Sequence, residues 1–145
     1  MNAVRKVCPV VARNAKSTPE ILAFLHPVAG KQLVKGTIRN GEEDEAAAKR
    51  ELCEESGIGT VSSMVFLGRS TEIAPNQEWS FWLCAVPPQL DRWTFRCGDD
   101  GGHFFQFFWQ PLWQRLGHEW HPVFVRAVRF VRDRLDVGKS PRGAS

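Results

Sequence analysis

The sequence predicts a single α/β domain in which a β-sheet is covered by helices on both faces. Two segments, residues 78–86 and 103–109, are apolar on both faces, which is typical of strands buried from both sides. Two others have helical character: residues 43–56 are Ala-rich and free of Gly and Pro, and after Pro122 apolar residues recur at helical spacing. With 145 residues, 43% of them hydrophobic and 24% charged, the chain fits one folded domain with its own core.

The remaining elements follow from apolar runs bounded by turn residues. Strands are predicted over 5–12, 21–25, 32–34, 61–68, 78–86 and 103–109, and polar loops over 13–19 and 70–77. Residues 87–102 form a long predicted loop, and loops of that length are more often functional than idle. We expect the domain to span residues 1–137 and residues 138–145 to be a flexible tail. The arginines on the polar face of the second helix are expected to be solvated rather than to bind nucleic acid.

The first predicted helix carries two groups of acidic residues with different explanations. Residues 42–45 are all acidic and lie at the first turn, where carboxylates favour the positive end of the helix dipole. Glu51, Glu54 and Glu55 lie in the last two turns, where the dipole disfavours each negative charge by roughly 0.3–1 kcal/mol. The second group therefore needs another source of stabilisation.

Helical spacing places these three glutamates on one face, within an arc of about 100°. Like charges three and four residues apart repel by a few tenths of a kcal/mol per pair. A helix that tolerates both penalties is expected to hold a cation on that face. Carboxylate oxygens with no nearby His or Cys favour Mg²⁺ or Mn²⁺ over zinc.

The segment 36–58 resembles the Nudix box, a pattern of nine fixed positions over twenty-three residues. Every position is matched without a gap, by Gly36, Glu42, Arg50, Glu51, Leu52, Glu54, Glu55, Gly57 and Ile58. The resemblance implies the Nudix fold, an α/β/α sandwich with a mixed β-sheet in which the box forms a loop, a helix and a second loop. It also implies hydrolysis of a nucleoside diphosphate linked to another moiety, with Mg²⁺ or Mn²⁺ as cofactor.

The resemblance also implies roles for residues of the box. Glu54 and Glu55 match the first metal ligands, and the backbone carbonyl of Gly36 is a third candidate ligand. Glu51 would be a further ligand or the general base. Arg50 and Glu42 match a salt bridge that braces the loop against the helix.

Three further groups of residues are candidates outside the fixed positions. Lys35 and Arg39 bracket the glycine loop and could neutralise phosphate oxygens of a substrate. Some Nudix enzymes take the general base from a loop after the box, which makes Asp99 and Asp100 candidates. Their alternative interpretation is a turn, since Asp before Gly-Gly is a common turn sequence.

Charge and cysteine content limit the classes of partner. Between Glu42 and Glu55 there are seven acids and two bases, and the rest of the chain has 17 bases and 9 acids. This distribution suits a small anionic substrate that meets bound metal. Four cysteines without metal-binding spacing, no secretory leader and no long apolar run predict a cytoplasmic protein with reduced thiols and no membrane or stable nucleic-acid partner. A homodimer is possible, because many Nudix proteins are dimers.

Two alternatives to a pyrophosphohydrolase stay open. The chain could be a nucleotide- or RNA-binding module that has kept the fold and lost catalysis, although such modules usually have a broken box. It could also isomerise a prenyl diphosphate, although those enzymes usually carry an altered box and a catalytic Cys. ADP-ribose, dinucleoside polyphosphates and modified nucleoside triphosphates are the candidate substrate classes, and the sequence does not separate them.

Overall fold

The computed structural model describes residues 3–98 and 102–144, with side chains described within 3–98 and 102–135. These residues form nine strands and two helices. In chain order they are β1 Val4–Val10, β2 Ala12–Ala15, β3 Thr18–His26, β4 Gly30–Gln32, β5 Gly36–Thr37, α1 Asp44–Ser56, β6 Ser63–Ser70, β7 Gln77–Ala85, β8 Trp93–Cys97, β9 His103–Pro111 and α2 Pro122–Ala144.

The strands form two sheets, of which the first is mixed. Its order is β5-β1-β7-β6, with β1 and β7 parallel and the other pairs antiparallel. The second sheet has the order β2-β3-β9-β8, with β4 added beside β3, and all its pairs are antiparallel. The expected mixed sheet is therefore present, accompanied by a second sheet that the sequence did not separate from it.

The two helices cover opposite faces of these strands. On β3, Ile21 and Ala23 belong to the core cluster that contains the apolar stripe of α2, formed by Phe124, Ala127, Val128 and Val131. The alternate residues Leu22 and Phe24 belong to a second cluster, which contains Leu52 of α1. Because successive side chains of a strand point to opposite faces, this division places one helix on each side. The predicted α/β/α sandwich is confirmed.

Two segments predicted as loops contain strands. Residues 13–19 lie in a β2–β3 hairpin, which turns through Lys16 and Ser17 at positive φ. The hairpin carries polar pairs such as Arg13 with Glu20, whose side chains are 2.9 Å apart, so it lacks an apolar pattern. Within 87–102, β8 pairs with β9, and Trp93 stacks on Phe107 at a centroid distance of 5.0 Å.

Burial differs between the two strands that were predicted to be covered on both faces. In β7 the consecutive residues 79–81 are all buried, as expected for a strand that is covered on both faces. In β9 the expectation fails at the start, because Phe104 is 58% exposed while Phe105 is buried. The reason is that α1 covers only the inner face of this strand's first half, through the second core cluster.

The helix predicted after Pro122 is present and longer than expected. Its helical backbone continues through residues 138–144, for which the sequence predicts a flexible tail. The predicted domain boundary at residue 137 stays a prediction. Neither helix, over the residues described, is long and apolar enough to cross a membrane.

Candidate active site

Burial of one face of α1 determines where its glutamates point. Ala47, Ala48 and Leu52 are fully buried, which fixes the rotation of the helix about its axis. Glu51, next to Leu52, consequently faces inward and is only 7% exposed, whereas the Glu54 side chain is 37% exposed. The helix ends at Gly57, whose φ of 83° is left-handed and whose N–H donates to the Cys53 carbonyl at 3.0 Å.

The short strand β5 brings the glycine of the loop against the inward glutamate. Gly36 pairs with Val7 of β1, so its backbone is fixed by the first sheet. A Cβ atom at position 36 would lie 1.9 Å from Cδ and 2.1 Å from Oε2 of Glu51. The space that a side chain would fill at position 36 is therefore occupied by the Glu51 carboxylate.

Arg50 connects the loop to the helix through one guanidinium group. Its Nε and Nη2 donate to the two Glu42 carboxylate oxygens at 2.7 and 2.9 Å, which is a bidentate pair. Nη1 donates to Glu51 at 2.8 Å and to Glu54 at 3.2 Å, and Nη2 also donates to the Thr37 carbonyl at 3.1 Å. The salt bridge that the resemblance implies is present, and the same arginine also restrains two of the three clustered glutamates.

These contacts shift the pKa values of the acids in opposite directions. Hydrogen bonds from Arg50 and from the Arg39 backbone N–H lower the pKa of Glu42 to about 2. Burial is the main cause that raises the pKa of Glu51, against the opposing effect of Arg50. The pKa of Arg50 rises further above its already high ordinary value, chiefly because of the bond to Glu42. Both members of the Glu42–Arg50 salt bridge are thus charged at neutral pH.

The pair makes a testable contribution to acid stability. Because the folded pKa of Glu42 lies below its ordinary value of 4.5, its stabilisation is present above about pH 4.5 and is lost as pH falls towards 2. We expect Glu42→Gln to be about 1 kcal/mol less stable than the wild type at neutral pH, allowing for solvent screening. In urea denaturation, the difference in unfolding free energy between the wild type and Glu42→Gln should become smaller below pH 4.5. A difference in unfolding free energy that stays constant down to about pH 2.5 would contradict a stabilising Glu42–Arg50 salt bridge.

The donor set of α1 fits a hard divalent cation, although arginines hold two of its three glutamates, Glu51 and Glu54. Glu51, Glu54 and Glu55 offer only oxygen ligands from one helix face. Among the side chains described, no three His, Cys, Asp or Glu groups are gathered closely enough to hold a metal ion. Glu54 instead contacts Arg50 and lies 3.7 Å from the Arg39 guanidinium. Metal binding would require Glu54 to turn from these partners, which its exposure permits.

The structure places the other predicted site residues as follows. Lys35 lies directly before Gly36 and lines a pocket of about 250 Å³. Arg39 is 65% exposed and faces Glu54. Asp99 and Asp100 lie outside the described residues, so their proposed role as a loop base is not addressed.

Lys6 is a cation at the site that the sequence analysis did not identify. Strand pairing sets it opposite Thr37, whose Oγ1 accepts a hydrogen bond from Nζ at 2.7 Å. Its pKa is lowered, first by burial and then by the charge of Lys35, while Glu51 acts in the opposite direction. No local motif marks Lys6, because only the β1–β5 register brings it beside the glycine loop.

The pocket next to Lys35 has mixed walls. Trp79 and Phe124, which are almost fully buried, form its apolar base, and Gln32, Gln77 and His121 supply polar groups. Trp79 Nε1 donates to Gln77 Oε1 at 2.7 Å, which fixes both side chains. A concave apolar site with a few oriented polar groups is typical of small-molecule binding.

Comparison with known proteins identifies the family. A model of the NUDIX domain matches residues 7–128, which is most of the chain. The chain therefore belongs to the Nudix family and is a Nudix-type hydrolase, as the box predicts. No curated protein matches the sequence significantly.

Solved structures of low sequence identity share the fold. The NUDIX domain of Shewanella oneidensis NrtR, in complex with ADP ribose, is 14% identical with a TM-score of 0.63, covering 93% of this chain and 90% of that one. An ADP compounds hydrolase is 21% identical with a TM-score of 0.63, covering 92% and 74%. A structure from work on MutT of Aliivibrio salmonicida and Vibrio cholerae is 22% identical with a TM-score of 0.56, covering 87% and 97%. At these identities the likeness supports the fold, and the predicted fold class is confirmed.

Proposed function

We propose that this chain is a pyrophosphohydrolase that depends on Mg²⁺ or Mn²⁺ and cleaves the diphosphate of a nucleoside diphosphate linked to another moiety. The observation that carries the proposal is the carboxylate of Glu51, which is buried against Gly36 and restrained by Arg50. A buried, oriented carboxylate beside two more exposed ones is costly for stability and useful for catalysis.

A diphosphate resists hydrolysis because its negative oxygens repel an attacking nucleophile. In the proposed site Glu54 and Glu55 would hold the metal ion, and the Gly36 carbonyl would be a further ligand. When bound, such an ion neutralises charge on the phosphates and lowers the pKa of a coordinated water. Lys35 and Arg39 would bind the remaining phosphate oxygens, and Lys6, which donates to Thr37 beside the glycine loop, is a further candidate for this role.

Glu51 has two compatible roles in this proposal, as a metal ligand or as the general base. Burial raises the pKa of Glu51 towards the range in which a carboxylate accepts protons efficiently. Arg50 opposes that rise and fixes the direction of the carboxylate, while Glu42 holds Arg50 in place. The Glu42–Arg50 pair is thus assigned a positioning role and makes no proposed contact with substrate.

The mixed pocket beside Lys35 supports a nucleotide-derived substrate. Its combination of apolar lining and polar groups suits a small nucleotide-derived ligand, and Lys35 connects it to the glycine loop. The structural neighbour that binds ADP ribose is consistent with this substrate class. We therefore place ADP-ribose first in a substrate panel, followed by dinucleoside polyphosphates and modified nucleoside triphosphates.

Cleavage of such a panel with and without metal is the direct test. We expect Mg²⁺ or Mn²⁺ to raise hydrolysis of at least one substrate by about 100-fold or more over a sample with EDTA, since the ion supplies both charge neutralisation and the activated water. The amount of product formed is measured by chromatography of the nucleotides. Excess Mg²⁺ added after EDTA serves as the control and should restore the rate.

Two results would contradict the proposal. Hydrolysis that is unchanged by EDTA would remove the metal from the mechanism. Tight binding of a panel nucleotide without any product over hours would instead support the catalytically silent nucleotide-binding module.

A further inference from the structure

A second pocket, beside the first half of α2, is lined by three arginines. Arg115 comes from the segment between β9 and α2, and Arg129 and Arg132 come from α2 itself. The pocket has a volume of about 190 Å³, and its apolar lining consists of Leu116, Val125 and Val128. Three guanidinium groups around one small concavity create a strongly positive site.

Arg132 is held in place on one side and has an unused donor on the other. Its guanidinium carbon lies 5.1 Å from the centre of the Trp113 ring, a cation–π contact with a side chain that is 55% exposed. Its Nε is buried and has no hydrogen-bond partner among the residues described. Buried N–H donors are rarely left without an acceptor, so this atom indicates a missing one.

No carboxylate within the described part of the chain compensates these charges. The ion pairs formed there involve other arginines and lysines. Asp133, one helical turn beyond Arg129, is exposed and does not form an ion pair with it. Among the side chains described, an anion bound in this pocket would therefore meet three guanidinium groups without a competing carboxylate.

The arginines of α2 do not form a continuous basic stripe for a polymer. Arg126 Nε donates to the Ile73 carbonyl at 2.7 Å. The Arg134 guanidinium lies 4.6 Å from the Phe130 ring centre. Neither Arg126 nor Arg134 lines the pocket, so the arginines that α2 contributes to it are Arg129 and Arg132.

We propose that Arg115, Arg129 and Arg132 form a binding site for a small phosphate-bearing anion, such as orthophosphate or pyrophosphate. Guanidinium groups match phosphate oxygens in pairs, and the pocket is large enough for one such anion but not for a segment of nucleic acid. The site is separate from the candidate active site: none of its lining residues belongs to α1 or the glycine loop, and none lines the pocket beside Lys35.

Titration calorimetry of the full chain with pyrophosphate and with orthophosphate tests this site. The buffer contains EDTA, because without metal the carboxylates of α1 repel anions. We expect wild-type protein to bind at least one of the two, and R129Q/R132Q to weaken binding by about 10-fold or more. Arg115→Gln, in an exposed connection, should weaken binding without any risk to folding.

Arg134→Gln is the matched control, because it removes the same charge from the same helix outside the pocket. It should change affinity less than about two-fold. Absence of binding to wild type, wild-type affinity in both pocket variants, or an equal loss in Arg134→Gln would each overturn the proposal. A single-stranded RNA that binds more tightly than pyrophosphate and depends equally on Arg129 and Arg134 would overturn it in favour of a nucleic-acid surface.

Discussion

Replacing Glu54 or Glu55 with glutamine is expected to lower the turnover number by about three orders of magnitude, because each change removes one of the charged oxygen ligands that we propose for the metal ion. The same changes should leave folding intact or slightly improve it. Both residues lie in the last turns of α1, where each negative charge is unfavourable by roughly 0.3–1 kcal/mol. Initial rates with saturating Mg²⁺ and urea denaturation measure the two effects.

Opposite effects on activity and stability distinguish metal binding from general damage. Glu45→Gln is the matched control, since it removes a carboxylate from the exposed first turn of the same helix. It should keep the wild-type rate. Near-wild-type turnover in both Glu54→Gln and Glu55→Gln would disprove the assignment of the metal ligands.

Gly36→Ala is expected to reduce turnover by about 100-fold through displacement of the Glu51 carboxylate. Gly36 is not among the glycines with positive φ, so an alanine backbone is unstrained there. The damage comes from the new Cβ, which would lie 1.9 Å from Glu51 Cδ. We expect a loss of about 1–3 kcal/mol in unfolding free energy from the same overpacking.

A double-mutant cycle checks that the effect passes through Glu51. In a Glu51→Ala background the clash is absent, so Gly36→Ala should have almost no further effect on stability. Gly98→Ala is the control, because a Cβ at position 98 meets no atom within 4 Å. An equal destabilisation by Gly36→Ala in both backgrounds would show that the glycine is required for another reason.

The box and its helix were predictable because their determinants are local. Acidic residues at unfavourable positions, helical spacing and a glycine stop all lie within one short segment, and they define α1 and the face of its glutamates. The Glu42–Arg50 pair followed from the resemblance alone, and its geometry agrees with it.

Residues contributed by strand pairing were not predictable in the same way. Lys6 lies thirty-one positions before its hydrogen-bond partner Thr37, and only the register of β1 with β5 joins them. The arginine pocket needs Arg115 to fold back on α2, which helical periodicity cannot show. The β2–β3 hairpin was missed because, apart from Ala12 with Ile21, each of its cross-strand pairs includes a polar residue, and strand prediction relies on apolar alternation.

The single guanidinium that binds Glu42, Glu51, Glu54 and the Thr37 carbonyl has a consequence for evolution. Groups that share one partner do not mutate independently, since the loss of any one changes the value of the others. Sequence drift in this part of the chain is therefore constrained by epistasis. A descendant protein in which Arg50 is replaced is expected to have lost the glutamates that it binds as well. Arg50 and these glutamates should therefore be retained together or lost together.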